Sequence, residues 1–231
     1  MRQTIFTLIT ITSFMFMVQS SSGQDWPNLG RFEAQNLQLG KPKANENRVV
    51  FMGNSITEGW LQDSMSFFHT KSNYINRGIS GQTTPQMLIR FRPDVIDLAP
   101  SVVVILAGIN DIAGNTGPST LEMIVNNLIS MVELAQANEI KVVLCSVLPA
   151  YDFPWRPGLN PATKVVELNN RLQAYAEKTG IVYLDYFSKM VNAQNGLDEN
   201  LTYDGVHPNM AGYKVMQPLA EEAIKKALSQ Q

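Results

Sequence analysis

Short apolar runs that alternate with helical patterns constrain the fold of this 231-residue chain more than any other feature. The run Val102–Leu106 is apolar at every position rather than at alternate positions. Such a run is typical of a strand that is covered on both faces, as in a parallel sheet. Helical patterns lie between the runs, so the order indicates an α/β fold with about five parallel strands and helices on both faces. The predicted strands cover residues 48–52, 74–76, 101–107, 141–147 and 181–185.

Capping patterns mark several helix starts. Thr84 and Pro85 fit an N-cap followed by proline at the first helical position. Ser119 and Glu122 have the spacing of a capping box, and the apolar residues after them recur at the period of a helix packed on a sheet. Two further helices are predicted at 161–179 and 210–228. Residues 24–47 are polar and mixed, which suits a segment packed over the domain. No repeat or linker interrupts the chain, so 24–231 is predicted to be one domain.

The first 23 residues resemble a cleavable signal peptide. Arg2 gives a positive start, an apolar stretch covers 5–18, and residues 19–23 are small and polar. The stretch is too short for a membrane helix, although an uncleaved anchor or a buried helix is the alternative. We therefore expect an exported protein, periplasmic or secreted, with no stable membrane insertion after cleavage.

Charge and cysteine content bear on partners and redox state. The net charge is −2 and no run of Lys or Arg occurs, which argues against nucleic acid or anionic membrane as the main partner. The single cysteine, Cys145, cannot form an internal disulfide. Because it lies in an apolar run, we expect a buried strand residue rather than a catalytic thiol.

Four loops carry residues suited to ester cleavage. Ser55 follows the first predicted strand, Gly78 the second and Asn110 the third, while Asp204 and His207 precede the last helix. Loops at the carboxyl ends of parallel strands meet at one edge of the sheet. A serine hydroxyl needs an imidazole to accept its proton, and His207 could do so. Asp204, three residues earlier, could fix the imidazole and stabilise its charged form.

Hydrogen-bond donors for an oxyanion are also available. They are the backbone N–H groups of Ser55 and Gly78 and the side-chain amide of Asn110, each typically worth about 3 kcal/mol in a transition state. Each residue also has an ordinary explanation: Ser55 could cap a helix, Asn110 could belong to a turn, and His207 could be structural. The convergence of all four loops favours catalysis, and Asp111 is assigned a structural role.

These blocks, with Ser55, Gly78, Asn110 and His207 in that order, resemble the SGNH/GDSL family of serine hydrolases. The resemblance implies a three-layer α/β/α flavodoxin-like sandwich, Asp204 as third member of the triad, no metal or cofactor, and an acyl-serine intermediate. The family's first block commonly reads Gly-Asp-Ser, whereas Asn54 precedes the serine here. We expect this variant to be active, since the triad acid is Asp204.

The resemblance also bears on substrate, which we expect to be a small-molecule or glycan ester. The signal peptide and the absence of a long apolar lid favour short acyl groups, and the chain resembles exported bacterial esterases of glycan breakdown. An acetyl esterase acting on carbohydrate is therefore predicted. The alternatives are a lysophospholipase or thioesterase, and a non-catalytic glycan-binding protein on a hydrolase scaffold. Candidate substrate-binding residues are Trp60, Trp155 and Tyr203, although the loop 149–158 could instead pack its aromatic residues on the domain.

Overall fold

In a computed structural model, which describes residues 24–230, five parallel strands form one sheet flanked by helices. The strands are β1 (Val49–Gly53), β2 (Tyr74–Gly78), β3 (Val102–Leu106), β4 (Lys141–Cys145) and β5 (Val182–Leu184). Their order is β2-β1-β3-β4-β5, and every neighbouring pair is parallel. All five predicted strands are confirmed, with ends that differ by no more than about two residues, as strand boundaries commonly do. The predicted signal peptide lies outside the described residues.

Nine α-helices occur in the described part of the chain. They are α1 (Glu33–Leu39), α2 (Ser55–Gly59), α3 (Phe67–Thr70), α4 (Thr84–Asp94), α5 (Ile109–Ile112), α6 (Leu121–Ala137), α7 (Pro161–Thr179), α8 (Phe187–Met190) and α9 (Met210–Ser229). The bounds predicted for α7 match, and α9 ends one residue later than predicted. The helix expected directly after the first strand is α2. The very short helices α3, α5 and α8 were not predicted, because four residues are too few to show a helical period.

Two predicted caps are wrong by one residue. Thr83 rather than Thr84 precedes α4, and its backbone N–H donates to Oε1 of Gln86 at 3.1 Å. Thr84 is the first helical residue, and its hydroxyl donates to Asp111 instead. Thr120 rather than Ser119 caps α6, where its hydroxyl accepts from the N–H of Met123 at 3.2 Å.

The helices form two layers around the sheet. Helices α4, α6 and α7 pack side by side on one face, and α9 lies across β3, β4 and β5 on the other. Every residue of β3 is buried, which explains why Val102–Leu106 is apolar throughout. Cys145 is buried on β4, as predicted. The predicted three-layer α/β/α arrangement is therefore confirmed. Within residues 24–230, no helix is long and apolar enough to cross a membrane.

The strand order creates a crevice at one edge of the sheet. From β1 the chain moves outward to β2 and then returns to place β3 on the other side of β1. The connections that leave β1 and β3 therefore diverge, and in α/β sheets ligands bind at such a switch point, outside the carboxyl ends of the strands. The loops after β1, β2 and β3 all open here.

Residues 24–40, called the N-terminal arm below, pack over the domain, as predicted for the polar segment that includes them. The arm contains a short 3-10 turn, Leu29–Arg31, and helix α1. Its backbone carbonyls accept hydrogen bonds from the domain: Pro27 from Nε2 of Gln82 and Trp26 from Nε2 of Gln86, both at 2.7 Å. These contacts hold the arm beside the loop that follows β2.

Candidate active site

The turn from β1 into α2 presents Ser55 to the crevice. Asn54 caps α2, since its Oδ1 accepts from the N–H of Ile56 at 3.0 Å. Gly53 is needed for close packing, because a Cβ there would lie 2.0 Å from Oγ1 of Thr57. The cap requires an acceptor oxygen and not a charge, so asparagine can fill this role, although its Nδ2 is buried without a hydrogen-bond partner among residues 24–230. This explains how the turn accommodates Asn54.

Ser55, His207 and Asp204 lie together although Ser55 and His207 are 152 residues apart in the chain. Oγ of Ser55 is 2.9 Å from Nε2 of His207, and Nδ1 of His207 is 2.7 Å from Oδ2 of Asp204. The other oxygen, Oδ1, accepts from the N–H groups of Val206 and His207 at 2.9 and 2.8 Å. Gly205 allows this tight turn through a left-handed φ of +84°. The arrangement allows the imidazole to take a proton from the hydroxyl while the carboxylate stabilises its charge.

The environment of Asp204 keeps its carboxylate ionised. Partial burial raises its pKa, but hydrogen bonds from the backbone and ring of His207 and from the N–H of Val206 outweigh burial, so the pKa lies below its ordinary value. Thr202 adds support to the turn, because its hydroxyl donates to the carbonyl of His207 at 2.6 Å. The ring of His207 is thus fixed from both the carboxylate and the backbone.

Two of the three predicted oxyanion donors belong to residues that line the cleft. Ser55 is the first residue of α2, so its N–H has no acceptor within the helix. The amide of Asn110 donates one hydrogen to the carbonyl of Gln82 at 2.9 Å, which orients the group and leaves its second hydrogen available. Ser55, Asn110 and His207 line one cleft.

The prediction that Gly78 donates to the oxyanion is wrong. Its N–H already donates to Oδ1 of Asn76 at 2.9 Å. A Cβ at Gly78 would lie 2.2 Å from the backbone nitrogen of Glu58, so this glycine is required for packing beneath α2. Gly81, in the same loop, lines the cleft with a φ of +77°. Its N–H makes no hydrogen bond within residues 24–230, so it is available to donate where the N–H of Gly78 is not.

The predicted substrate-binding residues divide into two groups. Trp155 and Tyr203 line the cleft and are 49% and 71% exposed. The ring of Tyr203 stacks on that of His207 with centroids 5.8 Å apart, and Trp155 lies at the same distance. Trp155 also packs on buried Phe153, with ring centroids at 5.4 Å. The loop 149–158 therefore packs on the domain and also reaches the cleft.

The prediction that Trp60 binds substrate is wrong, because Trp60 does not line the cleft. It is 2% exposed and stacks on Tyr213 of α9 at 5.3 Å, within an aromatic cluster that includes Phe51 and Phe67. Trp60 begins a 3-10 turn that directs its ring into the core, and Leu61 and Gln62 of the same turn line the cleft instead. Proximity in sequence to Ser55 gave no information on this direction.

The cleft has a volume of about 600 Å³ and a mixed lining. Its further lining residues are Glu58, Gly59, Ser80 and Asn115. Glu58 accepts from the N–H of Ser80 at 2.8 Å and from its hydroxyl, and pairs with Arg31 of the N-terminal arm at 3.0 Å. A hollow of about 740 Å³ beside α1 is larger, so the side-chain chemistry and not the volume identifies the site. Residues 24–230 contain no group of three or more His, Cys, Asp or Glu side chains arranged to hold a metal ion.

The chain is similar to known esterases and acylhydrolases in sequence and in fold. The model of the GDSL-like lipase/acylhydrolase family matches residues 51–215. A candidate acylhydrolase of Bacteroides fragilis is 51% identical with a TM-score of 0.86, and covers 89% of this chain and 100% of its own. A GDSL-like lipase of Bacteroides thetaiotaomicron is 49% identical with a TM-score of 0.84, over 87% of this chain and 98% of its own.

A curated relative is similar over less of its length. The acetylxylan esterase of Xylanibacter ruminicola is 26% identical over 220 residues, which cover 80% of this chain and 44% of the relative. The chain therefore spans less than half of the length of that relative.

Proposed function

The chain belongs to the GDSL-like lipase/acylhydrolase family, a family of ester hydrolases, and we propose that it is a serine esterase that removes acetyl or similarly short acyl groups from carbohydrate. The observation that carries the reaction type is the hydrogen-bonded series Ser55–His207–Asp204, with distances of 2.9 and 2.7 Å. In this proposal Ser55 is the nucleophile, His207 the general base and acid, and Asp204 the group that orients His207.

Acylation begins when Nε2 of His207 accepts the proton of Ser55 and Oγ attacks the carbonyl carbon of the ester. The negative charge that develops on the carbonyl oxygen is stabilised by the N–H groups of Ser55 and Gly81 and by the amide of Asn110. His207 then returns the proton to the leaving alcohol oxygen as the ester C–O bond breaks. The acyl group remains on Ser55.

Deacylation repeats the sequence with water. His207 accepts a proton from the water molecule, whose oxygen attacks the acyl carbon of the intermediate. The tetrahedral oxyanion is stabilised by the same donors. Its collapse releases the carboxylic acid, and Oγ of Ser55 regains its proton from His207.

The lining of the cleft supports a carbohydrate substrate. Trp155 and Tyr203 offer exposed aromatic rings beside His207, and such rings suit the C–H surface of a sugar ring. Glu58, Gln62 and Asn115 offer polar groups for hydroxyls. The similarity to an acetylxylan esterase adds support for an acetyl group on a glycan. A long acyl chain would need a continuous apolar channel.

Chain-length preference tests the proposal on nitrophenyl esters from acetate to octanoate and beyond. We expect the highest kcat/KM for acetate, together with release of acetate from acetylated polysaccharides. A maximum at octanoate or longer would favour the lysophospholipase or thioesterase alternative. Glycan binding without any ester hydrolysis by the wild-type protein would favour the binding-protein alternative.

The role of Ser55 is tested separately. Ser55→Ala should abolish hydrolysis and leave the circular dichroism spectrum unchanged, because the hydroxyl is the only group removed. Wild-type rates in this variant would show that Ser55 is not the nucleophile.

Export is also proposed, from the character of residues 1–23. Mass spectrometry of the mature protein should place its N-terminus near residue 24, whereas an intact Met1 would contradict cleavage.

A further inference from the structure

We propose that Arg90 is a positioning residue of the site, which holds the loops that carry Ser55, Gly81 and Asn110 in register with one another. The inference rests on the proposed function and concerns a residue that does not line the cleft. Arg90 lies on α4 and is 0% exposed. A fully buried arginine is unusual and requires partners for its charge and for its donors.

The guanidinium of Arg90 uses each of its nitrogens. Nη2 donates to the carbonyls of Gly53 and Arg77 at 3.1 and 2.9 Å. Nε donates to Oε1 of Gln82 at 2.5 Å. Nη1 donates to Oδ2 of Asp94, one turn later on α4, at 2.9 Å. The ion pair with Asp94 supplies the counter-charge that a buried cation needs.

Three of these four acceptors lie in or next to the loops of the site. Gly53 ends β1 two residues before Ser55, and its carbonyl is fixed by Arg90. Arg77 lies near the end of β2 and leads into the loop that contains Gly81. Gln82 follows Gly81 directly, and its own carbonyl accepts from the amide of Asn110 at 2.9 Å. One rigid guanidinium therefore bonds directly to the ends of β1 and β2 and to the loop that contains Gly81, and it is linked to Asn110 through Gln82.

The consequence for catalysis is geometric. Oxyanion donors act only if they are held about 2.7–3.1 Å from the position of the charged oxygen. The planar fork of arginine sets three acceptors at fixed angles, whereas a lysine ammonium acts as a single charged point on a flexible stem. Lysine at position 90 can keep the pair with Asp94 but cannot also donate to Gly53, Arg77 and Gln82.

Arg48 is a matched control for Arg90. It is 2% exposed, its Nε pairs with Glu46, and its Nη1 donates to the carbonyls of Gly40 and Leu98 at 2.7 and 2.9 Å. It immediately precedes β1, so it lies at the end of the strand away from Ser55. The two arginines are thus alike in burial and bonding and differ in their distance from the site.

The experiment compares Arg90→Lys with Arg48→Lys in kcat, KM and Tm, with nitrophenyl acetate as substrate. Both variants should lower Tm. Arg90→Lys should also lower kcat by about tenfold or more with KM within about twofold, as expected when transition-state contacts alone are weakened. Arg48→Lys should keep kcat within about twofold. Wild-type kcat in Arg90→Lys would overturn the proposal, whereas failure of the proposed function would be seen in the wild-type protein, as absence of ester hydrolysis.

A double-mutant cycle separates positioning from general loosening. If Arg90 acts through the oxyanion donors, Arg90→Lys should cost much less in an Asn110→Ala background than alone, because a donor that it positions is already gone. The same fold-loss in both backgrounds would contradict the proposal.

Gln82→Met tests the link between Arg90 and the loop that contains Gly81, and it leaves the pair of Arg90 and Asp94 intact. It should lower kcat with KM unchanged, and unchanged kcat in this variant would also contradict the role of the link through Gln82.

Discussion

The carboxylate of Asp204 accepts three hydrogen bonds, from the backbone N–H groups of Val206 and His207 and from the ring of His207. One short turn therefore holds the carboxylate of Asp204 and the ring of His207, the proposed base, in one orientation. The two oxygens have separate tasks, since Oδ1 is occupied by the backbone and Oδ2 by the ring. At the scale of single residues, a substitution can therefore change the contact with the ring of His207 and keep the backbone hydrogen bonds of the turn.

Asp204→Asn should lower kcat strongly while the protein stays folded. The amide oxygen can still accept from the backbone of Val206 and His207, but the neutral group cannot stabilise a charged imidazole. A loss of about 10⁴-fold is known for the corresponding change in a serine protease triad. Steady-state kinetics on nitrophenyl acetate and thermal unfolding would measure the two effects. A loss of less than about threefold would show that Asp204 does not support His207.

Gly78→Ala and Gly81→Ala should have different consequences. A Cβ at Gly78 would meet the backbone of Glu58 at 2.2 Å, so this change should displace α2 and lower the free energy of unfolding. At Gly81 the nearest atom is 4.0 Å away, and the cost is the left-handed φ of +77°, about 1–2 kcal/mol. Urea unfolding of both variants measures the difference, and a larger loss at Gly81 would contradict the packing argument.

The grouping of Ser55, Asp204 and His207 could be predicted from sequence because few residue types do the chemistry of ester cleavage. Only two histidines occur in the chain, and His207 lies three residues after a carboxylate. The choice between Gly78 and Gly81 could not be made, since both belong to one loop and only the position of α2 decides which one is covered. The location of Trp60 could not be predicted for a related reason. The direction of its ring depends on a 3-10 turn, which leaves no periodic pattern in the sequence.

At the scale of elements, a buried carboxylate joins the helix that carries Asn110 to the start of α4. Both oxygens of Asp111 accept from the N–H of Thr84 at 3.0 Å, and Oδ1 accepts from its hydroxyl at 2.6 Å. Burial raises the pKa of Asp111 to about 6, although the hydrogen bonds from Thr84 oppose this. The structural role predicted for Asp111 is consistent with these contacts, which also explain why Thr84 does not cap α4.

The raised pKa of Asp111 predicts a pH dependence of stability. The folded protein binds a proton near pH 6, whereas the unfolded chain does so near 3.8. The contribution of Asp111 to stability therefore rises as pH falls from 7 towards 4, by up to about 3 kcal/mol. The difference in unfolding free energy between wild type and Asp111→Asn should shift in favour of wild type over this range. A difference that is independent of pH would show that Asp111 has an ordinary pKa.

At the scale of the whole molecule, the N-terminal arm completes a polar network beneath the site. Oδ1 of Asn36 accepts from Nε and Nη2 of Arg77 at 3.0 and 2.7 Å, and its Nδ2 donates to Oδ1 of Asp94 at 2.8 Å. Asp94 in turn pairs with Arg90. The arm lies outside the residues 51–215 that match the family model. The alternation of apolar runs and helical patterns was enough to predict the layers and the five strands. The hydrogen bonds between the arm and the core could not be predicted, because they depend on single polar side chains that form no periodic pattern.

Asn36→Ala should destabilise the protein through this network. It leaves two donors of Arg77 and one oxygen of Asp94 without their partner, which costs about 1–3 kcal/mol for each buried polar group left unpaired. Gln35→Ala, at the exposed neighbouring position on α1, is the matched control and should change stability by less than about 0.5 kcal/mol. Urea unfolding measures both variants, and equal losses would show that the contacts of Asn36 are dispensable.

The same network restricts how relatives of this protein can diverge. Arg77, Arg90 and Asp94 are buried charges, and Asn36 connects two of them. Loss of Arg90 or Asp94 breaks the buried ion pair and leaves a charge without its partner, which typically costs about 3–5 kcal/mol, whereas joint replacement of a buried pair by apolar residues can be neutral. These four positions are therefore expected to covary among homologous sequences. They should be conserved together or substituted together, even where the rest of the N-terminal arm varies.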